Sequence, residues 1–337
     1  MSGLPALRRA GRRTNLALLL LLMGAFGTGW LAFAAAAPVP AELVTTAHGL
    51  LGLGIIALAP WKATIVRRAR TWRPMSLLLA VAIIACLAGG FALVFVGPAG
   101  VAGLTAVQLH VGGALIALPL LVVHLVRHRR RQGFRRRDIS RRALLRTGAF
   151  AAATGTGYLL LEGVGRWTGS AAAGRAPTGS HQIAPSEVPA TIWLLDRVPL
   201  LDPTTHHVDV AGRPFAIIDL AALAEPVDVR LDCTSGWYAE ETWTATRLDR
   251  LLPATELRAA ASIEVVSATG YTRLFAPSDA GILWLATATG GQPLRPGRGA
   301  PVRLVAPGRR GFWWVKWVSA VHLSGTPYWA QSPFPLQ

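Results

Sequence analysis

The chain is poor in cysteine and in acid. Among 337 residues there are two cysteines, and 17 acidic side chains stand against 34 basic ones. Cys86 lies inside an apolar run, and Cys233 is the only cysteine in the last 200 residues. An intrachain disulfide outside the membrane is therefore excluded. The roles left to Cys233 are a packed small side chain, a nucleophile or a soft-metal ligand.

The shortage of acid leaves a formal charge of +17, a balance that nucleic-acid-binding proteins share. Its distribution points elsewhere. Five apolar runs, at 15–37, 43–61, 75–97, 102–126 and 143–165, each reach the length needed to cross a bilayer, roughly 20 residues. Arg8, Arg9, Arg12 and Arg13 precede the first, and Lys62, Arg67, Arg68, Arg70 and Arg73 follow the second. Ten arginines fall between Arg127 and Arg146, whereas the connections 38–42 and 97–101 contain no basic residue. That alternation follows the positive-inside rule and excludes nucleic acid as the partner. It predicts a cytoplasmic N-terminus, five crossings, anionic lipid against the basic face, and residues 166–337 outside the cytoplasm. From 166 onward 15 basic residues balance 14 acidic ones.

Ser140-Arg141-Arg142-Ala143-Leu144-Leu145-Arg146 resembles the twin-arginine export motif, and a mildly apolar stretch follows it. The resemblance implies export of a domain folded around its cofactor in the cytosol, with the fifth segment as a signal anchor. Ala171-Ala172-Ala173 reads as a small-residue linker or a cleavage site.

Ionisable side chains within the bilayer are costly and mark function. His48 and His110 lie about seven and eight residues into the second and fourth helices, which places both roughly 10–12 Å below the outer surface. Two level imidazoles on helices of the same direction suit the axial positions of one haem b; a hydrogen-bonded histidine pair is the alternative. Gly49, Gly52, Gly54, Gly112 and Gly113 flank them and permit close approach. His124 and His128 read as interfacial side chains. The counterpart of His124 in a weak internal repeat is Lys62, so a second haem lacks a ligand.

Residues 166–190, rich in Gly, Ala, Ser and Pro, read as a linker. Short β-type runs follow at 207–210, 227–231, 262–268, 282–286, 301–305 and 314–323, with short helices at 220–224 and 247–252, a pattern that predicts an α+β domain. Val227–Leu231 leads through Asp232 into Cys233 and the turn Thr234-Ser235-Gly236. Downstream, Gly299-Ala300-Pro301-Val302-Arg303 runs on to Gly311-Phe312-Trp313-Trp314-Val315-Lys316-Trp317. Together, over residues 190–327, these resemble the sulfite oxidase family of molybdopterin oxidoreductases. The resemblance implies Cys233 as the thiolate on molybdenum, and Arg303, Lys316, the backbone of Trp314 and Val315, and the hydroxyl of Ser267 as contacts to the molybdopterin. Trp237 and Tyr238 stand where sulfite-oxidising members place an arginine, which tilts the expectation towards reduction of a sulfoxide-type substrate.

The expected architecture is multi-domain. A basic N-terminus (1–14) leads into a four-helix cytochrome b-like membrane domain (15–126), then a basic loop with the fifth helix (127–165). The linker (166–190) and an α+β molybdopterin-binding domain (191–337) complete it. The expected function is that of a multi-pass cell-membrane oxidoreductase. It acts on a small molecule and exchanges electrons through haem b with a quinone pool or another redox partner. The alternative is a haem-free anchored binding or sensor domain that has lost molybdenum.

Overall fold

The computed structural model describes residues 11–34, 38–68, 74–98, 100–101, 103–127, 141–191 and 197–332. Arg8, Arg9, Arg70, Arg73, His128, Ser140 and most of the arginine run after Arg127 lie outside them. The chain divides into a helical unit that runs to His181 and a sheet-rich unit from Gln182 onward.

The helical unit contains α1 (Arg12–Ala34), α2 (Pro38–Arg68), α3 (Pro74–Phe95), a small hairpin of β1 (Gly100–Val101) and β2 (Leu104–Thr105), α4 (Ala106–Arg127) and α5 (Arg141–Trp167). Four of the helices, α1 to α4, are long and apolar enough to cross a membrane. The fifth expected span, α5, has 27 residues, but its Ala, Gly and Thr content and Glu162 leave it less apolar than the others. It packs on α2. A Cβ on Gly49 would fall 2.7 Å from Tyr158, and one on Gly54 would fall 3.6 Å from Phe150, so the two helices run antiparallel. The opposed glycines of α3 and α4 bring those helices closer still. A Cβ on Gly89 would meet the His110 backbone N at 2.6 Å, and one on Gly113 the Cys86 N at 2.8 Å.

The segment read as a linker begins as part of this unit. Residues 168–181 fold over the bundle end where α2 begins and α3 and α5 finish. A short 3-10 helix, Ala171–Gly174, buries Ala172. Arg175 pairs with Glu162 at 2.5 Å, Thr45 Oγ1 donates to Pro177 O at 2.9 Å, and His181 Nε2 contacts Leu93 O at 2.5 Å.

The sheet-rich unit opens at β3 (His181–Gln182) and β4 (His207–Val210), continues with β5 (Arg213–Ala216) and α6 (Ile217–Ala222), and reaches its two longest strands, β6 (Glu225–Cys233) and β7 (Trp237–Arg247). Then come α7 (Ala254–Ala259), β8 (Ser262–Ser267), β9 (Thr272–Phe275), β10 (Trp284–Thr289), β11 (Gln292–Pro293), β12 (Arg303–Val305) and β13 (Val318–Ser324). One sheet is ordered β11-β10-β7-β3, with β12 joined to β10 and β6 to β7; the other is ordered β5-β4-β13-β8-β9. The strand expected from 314 begins only at Val318, because Trp314–Trp317 form an irregular loop with Trp317 at φ 53°. A core of Val, Leu and Ile together with Trp243, Trp314 and Phe275 fills this unit.

Candidate functional site: a cysteine among guanidinium groups

Side chains alternate along β6, so Val229, Leu231 and Cys233 face the core, and Cys233 is 6% exposed. The turn after it closes through Gly236 at φ 87°, and β7 returns with Trp237 directly opposite Cys233. Directly opposed residues share a face, so the indole stands beside the thiol. Ser235 N donates to Sγ at 3.5 Å, and Thr191 Oγ1 lies 4.0 Å away.

The downstream motif folds onto the same place. Lys316 Nζ donates to Thr191 O at 2.6 Å and to Gly297 O at 2.7 Å. Gly299, at φ 106°, is where the two expected cations converge. A Cβ there would fall 3.0 Å from that of Arg303 and 3.1 Å from that of Lys316. Arg303 donates to Arg298 O at 3.0 Å and to Trp314 O at 3.4 Å, and its guanidinium lies over the rings of Trp243 and Trp314. Ser267 joins the region through its neighbour, since Ala268 N donates to Trp317 O at 2.7 Å; its own hydroxyl meets Thr269 Oγ1 at 3.0 Å. The N–H groups of Trp314 and Val315 donate within the loop, to Gly311 O and Trp313 O.

Several groups escaped the sequence reading. Arg298 forms an ion pair at 2.5 Å with Glu241, which points into the core from β7. Arg310, 5% exposed, donates to the Cys233 carbonyl at 3.0 Å and lies 3.5 Å from Asp232 Oδ1. Gly311 beside it backs the cysteine, for a Cβ there would fall 3.2 Å from Cys233 Cα and 3.6 Å from Sγ. Arg310 thus stands at the backbone of Cys233, delivered by a distant loop and committed to the carbonyl and Asp232. Only the turn Pro307-Gly308 ahead of Arg309-Arg310-Gly311 hinted at it.

The electrostatics ask for an anion. Four cations, Arg298, Arg303, Arg310 and Lys316, meet two carboxylates, Glu241 and Asp232, among the described residues. Arg298 Nε, Arg303 Nε, Arg310 Nε and Nη1, and the indole N–H groups of Trp237 and Trp313 are buried with no hydrogen-bond partner among the described residues. Each such donor costs about 1–3 kcal/mol. Burial, reinforced by Arg298, pushes Arg303 down to about 9, only partly opposed by Glu241 and Cys233. A group that carries both a soft metal for a thiolate and anionic oxygens for guanidinium groups suits this set of side chains, so these residues fit a metal–pterin phosphate cofactor.

Residues 196–331 match the family model of the oxidoreductase molybdopterin binding domain. This part of the chain, residues 196–331, thus carries the matched molybdopterin-binding oxidoreductase domain. Among solved structures the chain is similar to the sulfane dehydrogenase SoxCD from Paracoccus pantotrophus, at 21% identity and a TM-score of 0.35, over 38% of this chain and 40% of that one. No curated protein matches the chain.

In the helical unit the other two expected ligands also meet. His48 Nε2 and His110 Nε2 are 3.4 Å apart with ring planes at 90°. His48 Nδ1 lies 2.9 Å from Ala25 O, and His110 Nδ1 lies 2.7 Å from Cys86 O. A carbonyl only accepts, so each Nδ1 carries a proton and each ring turns its Nε2 towards the other. The glycines against the rings are Gly29 and Gly90, not those adjacent in sequence. A Cβ on Gly29 would fall 3.0 Å from His48, and one on Gly90 2.9 Å from His110. Lys62 Nζ bonds Asn15 Oδ1 at 3.1 Å, and His124 Nδ1 meets Ser76 Oγ at 3.3 Å.

Proposed function

We propose that the protein is a membrane-anchored molybdopterin enzyme of oxygen-atom transfer, acting on a small molecule. The observation that carries the reading is the buried Cys233 thiol set among unpartnered guanidinium and indole N–H groups. Cys233 is the metal ligand, and Arg303, Arg298 and Lys316 hold the anionic part of the cofactor. Ser267, Trp314 and Val315 line the region that receives it. When bound, molybdenum supplies two-electron redox chemistry at the substrate. The chain's own residues fix the thiolate by the Ser235 N–H and the Gly311 backing, and exclude water with Trp237, Trp313 and Trp314. Reduction of a sulfoxide-type substrate is the direction slightly favoured over oxidation.

His48 and His110 are proposed as the ligands of a haem b that passes single electrons between the molybdenum domain and a quinone pool. The support is chemical. A ligating histidine fixes its other nitrogen on a carbonyl, as both do here, and turns Nε2 to the metal. α5 is proposed as a fifth crossing and uncleaved signal anchor, which leaves the catalytic domain extracytoplasmic. Its antiparallel packing on α2 and the buried Ala172 in the segment that follows support this.

The test is metal analysis and a reduced-minus-oxidised spectrum on detergent-purified protein beside Cys233→Ala and His110→Ala. Near-stoichiometric molybdenum lost with Cys233, and a b-type band lost with His110, is the expected pattern. Molybdenum without the band removes the haem, and neither cofactor sinks the reading. Viologen-linked sulfoxide reduction and acceptor-linked oxidation then assign the direction.

A further inference from the structure

The edge of the five-stranded sheet is closed by a side chain. β9 is its last strand, where backbone groups would stand open to other chains. Gln331 occupies them as a peptide would: Leu274 N donates to its Oε1 at 3.0 Å, and its Nε2 donates to Leu274 O at 2.6 Å. A further bond from Nε2 to Tyr328 O at 2.7 Å fixes the amide. Beside it Arg273, 3% exposed, donates from Nη1 to Ser332 O at 2.8 Å and from Nε to the Tyr271 hydroxyl at 2.7 Å. Tyr271 in turn donates to Phe312 O at 2.6 Å. The same guanidinium lies over the rings of Tyr271, Phe312 and Trp313 at 5.2, 5.2 and 5.5 Å.

Phe312 belongs to the loop that backs the cysteine. Arg310 on that loop holds the Cys233 carbonyl, and Gly311 leaves no room behind the sulfur. The chain of contacts therefore runs from Ser332 through Arg273 and Tyr271 to Phe312, and from its neighbours to Cys233. The guanidinium is buried and the Tyr271 ring half-buried beside it, so these partly shielded bonds are costlier to break than exposed ones.

We propose that Tyr271 is a positioning residue for the Cys233 centre, held in place by a C-terminal strap, Tyr328–Ser332, acting through Arg273. The strap sets where the Arg310–Trp313 loop stands behind the thiolate and hence how firmly the centre keeps its metal. The inference rests on the reading of Cys233 as the metal ligand, but the mechanical link stands apart from it.

The experiment uses the full chain in detergent with Tyr271→Phe, which deletes one oxygen, and Gln331→Ala, which unlatches the strap. Alkylation of Cys233 by iodoacetamide in cofactor-free protein is followed by peptide mass, so that Cys86 does not interfere. Loaded protein is followed by molybdenum retained on dialysis and by its sulfur-to-metal absorption. Both variants are expected to raise Cys233 alkylation several-fold, and Tyr271→Phe to speed molybdenum loss roughly tenfold and move the absorption band, with little change in the unfolding midpoint. Alkylation of Tyr271→Phe at the wild-type rate overturns the proposal. A wild-type protein that takes no molybdenum, while alkylation still responds, removes the metal reading and leaves the link supported. Should Gln331→Ala unfold the domain, Tyr271→Phe alone decides.

Discussion

The two units each gather polar groups that are costly to bury, and they do so with opposite chemistry. The centre of the helical unit sets the Nε2 atoms of His48 and His110 against each other, and has no acidic side chain bonded to either ring among the described residues. The centre of the sheet-rich unit offers donors, four cations and two indoles, around one thiol. On the reading proposed above, the first arrangement takes a metal between the rings, and the second a group that is anionic at its periphery and metallic at the sulfur. One chain thus carries two complementary demands, and substitutions can be chosen that disturb one and leave the other alone.

The largest separation is expected from Arg303→Met. Methionine keeps the apolar stem but loses the guanidinium, and with it the charge that lies over Trp243 and Trp314. Molybdenum loading should fall by roughly 10–100-fold, the worth of a charged hydrogen bond, while any b-type band is unchanged. Equal molybdenum in wild type and variant would refute the anion clamp. The converse disturbance is Gly90→Leu. Its side chain enters the space of the His110 imidazole, which a Cβ already approaches to 2.9 Å. The band should vanish or shift with molybdenum intact; an unaltered spectrum would show that the imidazole does not hold the chromophore.

A smaller effect is expected at Arg310. Lysine keeps the charge but cannot both donate to the Cys233 carbonyl and lie along Asp232 as a planar guanidinium does. Arg310→Lys should weaken metal retention roughly tenfold, as removal of a group that orients a ligand usually does. Retention equal to wild type would reduce Arg310 to a surface charge that happens to be buried.

What could be read in the sequence was local. The alternation of β6 and the turn Thr234–Gly236 put Cys233 at an inward strand end, because period two and turn chemistry act over a few residues. Charge between the apolar runs likewise reports on its own neighbourhood. What could not be read depends on partners far along the chain. Glu241 faces the core because Arg298, 57 residues on, meets it there, and a carboxylate in a strand otherwise reads as outward. Arg310 reaches Cys233 across 77 residues. The same holds among the helices. Gly112 follows His110 closely yet a Cβ there would meet nothing within 4 Å, whereas Gly90 of α3 supplies the room for the imidazole. The segment after α5 has the composition of a linker, and only its bonds to α2, α3 and α5 show it to be folded.

That folded segment gives the smallest and most easily reversed effect. His181 contacts the Leu93 carbonyl, and a second hydrogen bond reaches Ala171, so it joins the end of α3 to the 3-10 helix. Burial lowers its pKa from 6.5, nearby Arg175 adds to that, and the two carbonyls oppose it in part; Glu162 is the carboxylate in the group and is already paired with Arg175. A detached His181 would titrate at its ordinary value. Between that value and the lowered one, the detached state binds more protons than the folded one, so docking strengthens as pH rises and weakens as it falls. The contact is at full strength above the ordinary histidine value and is lost progressively as pH drops through the lowered one. Hydrogen exchange across residues 168–181 should therefore quicken as the pH falls below the ordinary histidine value, after correction for intrinsic exchange, while α2 stays protected. His181→Gln keeps one amide donor for Leu93 and cannot be protonated, so its exchange should be flat over the same interval. A wild-type profile equally flat would mean that the segment is held by Thr45, Arg175 and the packing of Ala172 alone.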